Sequence, residues 1–177
     1  MLGSLEEHSC YSVSDLNLGN VTRFQSLLYD VMEELHSDSP WIETLKAQYS
    51  IDVLRSLVSA DFAICPTVFS PTGELIALGI GRHDGGLGTI SWIAVDERYR
   101  NLSLGSQVLD AMLNFYQANG CHRVELKTYL DKPKVQNFYK NKGFDYAAVL
   151  PNHKFGFDIV YMIRDIPHRA EHLEEAQ

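Results

Sequence analysis

The chain has 177 residues, 45% of them hydrophobic and 21% charged, which is typical of one globular domain and excludes a disordered or fibrous protein. The formal net charge of −8 disfavours binding to nucleic acid and suits a cationic or amine partner. No apolar run approaches the roughly 20 residues of a membrane span, so we expect no membrane partner.

Two amphipathic helices are predicted in the N-terminal third. Asn20 is a candidate N-cap for the first helix, and apolar residues follow it at helical spacing. They are Phe24, Leu27, Leu28, Val31 and Leu35. Ser39 and Pro40 resemble the start of a second helix, which is expected to break before Leu54.

Three sequential strands are predicted next, at Phe62–Phe69, Leu75–Arg82 and Gly88–Val95. Turn-forming residues separate them, at Ser70–Gly73 and at His83–Gly86. The three strands should therefore form an antiparallel meander.

The second half of the chain begins with a helix. An apolar stripe starts at Leu104, and Gly120 stands where a left-handed C-cap is expected. A strand at His122–Tyr129 follows. A short helix between Asp131 and Gly143 and a final hairpin of two strands, Phe144–Leu150 and Phe157–Arg164, complete the predicted core.

Neither the cysteines nor the N-terminus indicates a special compartment. Cys10, Cys65 and Cys121 lie far apart and lack the paired spacings of a zinc or redox site, so we expect reduced thiols and no metal. The first ten residues include Glu6 and Glu7 and have no basic segment followed by an apolar one. We therefore expect no signal peptide and a cytoplasmic protein.

The segment from Asp96 to Ser106 joins a predicted strand directly to a predicted helix. Free N–H groups and the positive dipole end of a helix bind phosphate, and Gly105 allows a ligand to approach the backbone closely. An ordinary polar loop would have a similar composition. The segment alone therefore does not decide between a phosphate site and a connection.

Two motifs together resemble the GNAT superfamily of N-acetyltransferases. Arg100-x-x-Ser103-x-Gly105 resembles its motif A, [QR]-x-x-G-x-[GA], and residues 137–144 contain the F-Y-x-x-x-G-F of its motif B. Both occur in the family's order, and the resemblance covers roughly residues 62–166. It implies a mixed α+β fold: a mostly antiparallel twisted sheet of about six to seven strands, splayed between the fourth and fifth, with about four flanking helices.

The resemblance also implies that the chain binds acetyl-CoA and needs no metal. The main chain of Ile93, Ala94 and Val95 would pair with the pantetheine arm. Seven residues would wrap the pyrophosphate: Arg100, Asn101, Leu102, Ser103, Leu104, Gly105 and Ser106. Ser103 stands where the family has its first glycine. Lys132 stands where many members have an asparagine that contacts pantetheine, so Lys132 or Lys134 would meet a phosphate instead.

Acyl transfer to an amine requires a neutral amine, stabilisation of an oxyanion and a proton for the departing thiolate. Tyr139 falls on the motif B tyrosine that family members commonly use as the proton donor. Main-chain N–H groups near Ala94 and Val95 would stabilise the oxyanion. An amine of pKa near 10.4 is neutral only about once in a few thousand molecules at pH 7, so a base is useful.

Glu125 is the base candidate on the strand that ends at Tyr129, and the two residues share a strand face. Lys127 lies between them, at the position where one branch of the family, which acetylates N-terminal amines, has its glutamate. The base therefore stays open. The other candidates are Glu97, His83, and His153 with Asp158.

We expect a single domain over residues 1–177, with its core at about 10–166 and a flexible tail at 167–177. The leading interpretation is an N-acetyltransferase that acts on a primary amine, on a small molecule or a peptide or protein, by direct attack in a ternary complex. A non-catalytic acyl-CoA-binding sensor is the alternative, suggested by Ser103, Lys127 and Lys132. Acetylation of tRNA fits poorly with the acidic charge, and a homodimer is left open.

Overall fold

A computed structural model describes residues 11–36 and 39–167. Cys10, the N-terminal residues before it and the predicted tail from His168 onward lie outside the described residues. The α-helices are α1 (Val21–His36), α2 (Ile42–Ala47), α3 (Ile51–Val58), α4 (Leu104–Ala118) and α5 (Pro133–Asn141). The strands are β1 (Val13–Asp15), β2 (Ala63–Ile64), β3 (Pro66–Phe69), β4 (Leu75–Asp84), β5 (Leu87–Val95), β6 (Arg123–Tyr129), β7 (Asp145–Lys154) and β8 (Phe157–Asp165).

All eight strands belong to one sheet, in the order β1-β3-β4-β5-β6-β8-β7, with β2 paired to β4. Every pairing is antiparallel except that of β5 with β6, which is parallel. The predicted mixed α+β fold with a mostly antiparallel sheet is confirmed. The described residues contain one strand and one helix more than the upper ends of the predicted counts.

The extra elements come from short segments with little periodicity. β1 has three residues, too few for an alternating pattern. The predicted strand Phe62–Phe69 is split at Cys65, whose carbonyl accepts the N–H of Leu16 rather than a ladder bond. The second predicted helix is indeed broken, because Ser50 caps a separate helix by accepting the N–H of Val53.

The two faces of the sheet pack against different helices. On one face, α4 covers the middle of the sheet with Val108, Met112 and Tyr116. On the other, α1 and α3 pack through a second cluster that includes Phe24 and Leu54. Because neighbouring strand residues point to opposite faces, β3, β4 and β5 contribute to both clusters.

Close approach of α4 to the sheet depends on glycine. A Cβ at Gly88 would lie 2.7 Å from the ring of Tyr116, and one at Gly79 would lie 2.7 Å from Val108. The Tyr116 hydroxyl donates to the carbonyl of Thr89 at 2.7 Å, which satisfies the polar end of this buried ring. The helix is thereby fixed directly over β4 and β5.

The start of α1 differs from the sequence expectation. Asn17, not Asn20, provides the observed cap: its side chain accepts the N–H of Gly19 and begins a 3-10 turn that leads into the helix. No helix in the described part of the chain is long and apolar enough to cross a membrane.

Candidate active site

The centre of the sheet opens where β5 and β6 separate. The two strands pair from Leu87 with Arg123 to Ile90 with Leu126, and the register ends there. At the next residue, the register between β4 and β5 shifts, since Ile80 faces Trp92 while Gly81 faces Ile90. Ser91 is therefore the extra residue of a β-bulge, which bends the strand away from its neighbour.

Beyond the bulge, β5 no longer pairs with β6, so it has an edge inside the sheet without a neighbouring strand. The N–H of Asp96 donates to the carbonyl of Ile76 on β4 at 2.9 Å. Main-chain groups alternate in direction along a strand, so those of Ala94 face β4 and those of Ile93 and Val95 face the opening. Of the three residues predicted to contact pantetheine, two thus have main-chain groups on the open side.

The loop after β5 adopts a conformation that usually requires glycine. Asn101 and Ser103 have positive φ values of 67° and 59°. Ser103 occupies the N-cap of α4 in the left-handed region, and its carbonyl accepts the N–H groups of Ser106 and Gln107. This backbone explains why motif A prefers glycine at the Ser103 position.

The first turn of α4 offers hydrogen-bond donors beside the opening. Within the described residues, the N–H groups of Leu104 and Gly105 have no acceptor. A Cβ at Gly105 would lie 3.7 Å from Val95 Cγ2, 3.8 Å from Phe138 Cζ and 3.9 Å from Ile93 Cγ2. Gly105 therefore packs over the side chains of Ile93 and Val95 beside the opening, at distances that leave room for a methyl group.

Both arginines of the loop are engaged by other groups of the protein. Arg100 Nη1 donates to Glu34 Oε1 at 2.7 Å, and Arg100 Nη2 donates to Glu34 Oε2, so the pair ties the loop to α1. The hydrogen bond from Arg100 lowers the pKa of Glu34. Arg100 Nε also donates to the carbonyl of Val95 at 3.3 Å, so this guanidinium lies at the β5 edge. Arg98 pairs with Asp96 at 2.7 Å and with Glu74.

Tyr139 lies on α5, on the face of the sheet that carries α4. It is 7% exposed and packs against the rings of Phe138 and Phe144, with centroids 5.0 and 5.6 Å away. Burial raises the pKa of Tyr139, which keeps the hydroxyl protonated at neutral pH. Its hydroxyl has no hydrogen-bond partner within the described residues.

Glu125 lies on the opposite face, one register step before the strands part. Its Oε1 accepts from Thr89 Oγ1 at 3.2 Å, and its Oε2 accepts from the Tyr161 hydroxyl. That hydrogen bond, followed by burial, raises the pKa of Tyr161. The structure thus brings a carboxylate and a phenol together at the narrow end of the opening.

The other base candidates lie elsewhere. His83 packs against Phe115 at the closed end of the β4–β5 hairpin, with ring centroids 5.5 Å apart. Glu97 is exposed in a 3-10 turn on the outer side of the loop. His153 is exposed in β7, and Asp158 accepts the N–H of Asn152 at 2.8 Å, which is a structural role within the hairpin.

Aromatic residues border the face that carries Glu125. The Trp41 ring stacks on Phe155 with centroids 5.9 Å apart, joining the start of α2 to the tip of the β7–β8 hairpin. The Tyr129 ring centroid lies 5.0 Å from that of His36 and 5.4 Å from that of Phe157. We call the surface that these rings border beside β6 the cleft.

His36 is buried at the end of α1, and its Nε2 has no partner within the described residues. Burial lowers the pKa of His36, and the positive charges of Lys132 and Lys154 lower it further, while Asp131 acts in the opposite direction. Lys132 is the N-cap residue of α5, and its own N–H donates to Tyr129 O at 3.2 Å. This residue therefore stands between the cleft and the start of α5.

Sequence reasoning missed four residues of this cleft: His36, Lys154, Phe155 and Tyr161. They come from α1 and from the last hairpin, and no spacing links them to Glu125. Only the alternating pattern of β8 would have placed Tyr161 on the same face as its neighbours. Within the described residues, no group of three or more His, Cys, Asp or Glu could hold a metal ion.

Comparison with known proteins agrees with this architecture. Residues 27–144 match the model of the acetyltransferase (GNAT) family. An uncharacterised N-acetyltransferase of Methanocaldococcus jannaschii is 25% identical over 149 residues, which cover 83% of this chain and 92% of that protein.

Two solved structures share the fold at low sequence identity. The ribosomal-protein-S18-alanine N-acetyltransferase of Escherichia coli superposes with a TM-score of 0.70 at 19% identity, covering 92% of this chain and 98% of its own. The PaiA N-acetyltransferase of Thermoplasma acidophilum, solved in complex with coenzyme A, superposes with a TM-score of 0.74 at 13% identity. The superposition covers 88% of this chain and 99% of that protein.

Proposed function

Because the chain belongs to the acetyltransferase (GNAT) family, we propose that it transfers an acetyl group from acetyl-CoA to a primary amine by direct attack in a ternary complex. The amine belongs to a small molecule or to a peptide or protein. The observation that carries this proposal is the free inner edge of β5 beside the first turn of α4.

The residues around the opening fit the coenzyme. Extended amide groups pair with a free strand edge, and a helix start with free N–H groups binds phosphate. We assign the main chain of Ile93 and Val95 to the pantetheine arm. We assign the loop from Arg100 to Ser106 to the pyrophosphate, with Lys132 at the rim. The complex of the Thermoplasma protein with coenzyme A supports this ligand.

The coenzyme supplies an activated acetyl thioester. Transfer forms a bond between the amine nitrogen and the carbonyl carbon, breaks the bond from carbon to sulfur and moves one proton from the amine to the sulfur. Glu125 accepts the proton from the amine, directly or through water, and its contacts with Thr89 and Tyr161 fix its orientation.

Tyr139 delivers a proton to the sulfur from the other face. A phenol whose pKa is raised by burial is held in the protonated form, which is the form that a donor requires. Main-chain N–H groups on the open side of β5 stabilise the negative charge that develops on the carbonyl oxygen.

Two measurements test the proposed function. Acetyl-CoA at 100 times its dissociation constant should stabilise the protein by about 2.7 kcal/mol, which a thermal shift detects. Incubation with acetyl-CoA and a broad panel of amines should then release free thiol. A protein that ignored acetyl-CoA would contradict the proposal, whereas binding without thiol release for any amine would indicate the non-catalytic sensor.

A further inference from the structure

Two lysines face the cleft on the Glu125 side of the sheet. Lys127 lies on β6 opposite Tyr161 of β8, two residues before Tyr129 on the same face. Lys154 ends β7 opposite Phe157, whose ring contacts Tyr129 at 5.4 Å. The two lysines therefore come from two separate strands on the same face of the sheet.

Neither lysine has a counter-ion in the part of the chain that the structure describes, although the protein carries a net charge of −8. Lys154 Nζ lies 5.4 Å from the centroid of the Phe155 ring and has no carboxylate beside it. Burial and the nearby charge of Lys127 lower the pKa of Lys154, so the two ammonium groups repel each other.

The carboxylates of this region form no ion pair with either lysine in the described residues. Glu125 is bound by Thr89 and Tyr161, and Asp158 is bound by the main chain of the hairpin. The charge of Asp131 contributes to raising the pKa of Tyr129 and opposes the lowering of the pKa of His36. An external anion would therefore supply the counter-ion that both lysines lack.

The position of the lysines relates them to the reacting amine. Glu125 and Lys127 are two residues apart on one strand face, which is about 6 to 7 Å along the strand. The strands separate between these two positions. A molecule whose amine faces Glu125 would therefore extend toward Lys127 on the widening side of the gap.

Both lysines are exposed, so an external anion can reach them. The Trp41 ring stacks on Phe155, and Tyr129 contacts His36, so aromatic rings lie on the same side of the sheet. An anionic group placed between Lys127 and Lys154 would be attracted by both charges.

On the premise of the proposed acetyltransferase activity, we propose that the acceptor carries an anionic group, a carboxylate or a phosphate, in addition to its amine. Lys127 and Lys154 bind this group while the amine faces Glu125. The acceptor class is therefore an anionic or zwitterionic amine, not a polyamine, which two unpaired lysines would repel.

Ligand binding tests the inference without requiring turnover. Calorimetry should show that 4-acetamidobutyrate binds at least about tenfold more tightly than 4-acetamidobutyramide, the effect expected for a hydrogen bond to a charged group. N-acetylated phosphoethanolamine against N-acetylethanolamine tests phosphate in the same way. Equal affinity for the charged and neutral member in both pairs would overturn the inference.

Variants test whether the preference for the anionic ligand depends on these two lysines. The double variant Lys127→Gln with Lys154→Gln should lose the preference for the anion, and Lys127→Arg with Lys154→Arg should retain it. Lys140→Gln is the matched control, because Lys140 lies over the Tyr146 ring at 3.9 Å on the other face of the sheet. A preference that survives in the double glutamine variant would refute the assignment.

Affinity for acetyl-CoA separates this inference from the proposed function. The double glutamine variant should bind acetyl-CoA within about twofold of the wild type. A parallel loss of coenzyme affinity would show that the lysines serve the coenzyme phosphates, which would contradict the inference. A wild type that prefers the anion but ignores acetyl-CoA would leave the anion site standing and refute the proposed function.

Discussion

The two sides of the gap between β5 and β6 are built in different ways. On the α4 side, the proposed coenzyme region consists of main-chain groups of one strand, one loop and one helix turn, which are contiguous from Ile93 to Ser106. On the α1 side, the cleft is formed by side chains from α1, α2, β6, β7 and β8. The first side is a backbone conformation, and the second is a convergence of distant side chains.

This difference separates a site made by the backbone from a site made by side chains. A backbone cradle constrains few residue types, chiefly small ones where space or φ requires them, so a short motif describes it. The shape and charge of a cleft lined by side chains change when any one of the lining residues is substituted. Three predictions examine whether the two sides act independently, beginning with the largest effect.

Tyr139→Phe should lower turnover roughly ten- to a thousandfold while the dissociation constant for acetyl-CoA changes little, because only proton donation in the transition state is lost. Steady-state kinetics and a coenzyme titration measure the two quantities. Tyr116→Phe is the control: it also removes a buried hydroxyl, from a bond to Thr89, and should cost about 1 kcal/mol of stability without the loss of turnover. Unchanged turnover in Tyr139→Phe would remove this residue from the mechanism.

Gly105→Val should weaken acetyl-CoA binding roughly ten- to a hundredfold, because overpacking of this kind typically costs about 1 to 3 kcal/mol. Gly105→Ala should have a smaller effect and leave the melting temperature of the free protein unchanged, since its methyl group meets only ordinary contacts of 3.7 Å or more. Titration of both variants with acetyl-CoA measures the dissociation constants that test this prediction. Wild-type affinity in both variants would argue against a coenzyme at this turn.

His36→Phe should change how the free energy of unfolding depends on pH. It should leave the proposed coenzyme region unchanged. The pKa of folded His36 lies below its ordinary value of 6.5, so on acidification the unfolded chain takes up the proton first. Stability from this residue is complete above about pH 6.5 and falls as the pH drops toward the folded pKa. Melting temperatures between pH 8 and pH 5 should therefore fall less steeply in the variant, with acetyl-CoA affinity unchanged. An identical slope in both proteins would contradict the assignment.

Much of the fold follows from sequence because its longer elements are strongly periodic. The stripe from Leu104, the meander and the positive φ of 71° at Gly120 are present where the pattern predicts them. The break at Cys65 and the extension of β7 through Pro151–Lys154 depend on tertiary pairing, which local propensity does not contain.

The candidate site also has one part that follows from local sequence and one part that depends on tertiary contacts. The coenzyme residues were named from two contiguous motifs, and their roles stay predictions until the titrations above are done. The contact of Tyr161 with Glu125 spans 36 residues, and the contact of Trp41 with Phe155 spans more than a hundred. Such distances give no periodic signal in a single sequence, so only the folded chain brings these residues together.

The short parallel junction has a mechanical consequence. Within the described residues, four residue pairs form the ladder between β5 and β6, and these two strands join the two halves of the sheet. A coenzyme bound along the inner edge of β5 would add hydrogen bonds beyond the end of the ladder between β5 and β6. Amide hydrogen exchange at Leu87–Ile90 should then slow when the coenzyme is bound, so that the cosubstrate helps to hold together the protein that uses it.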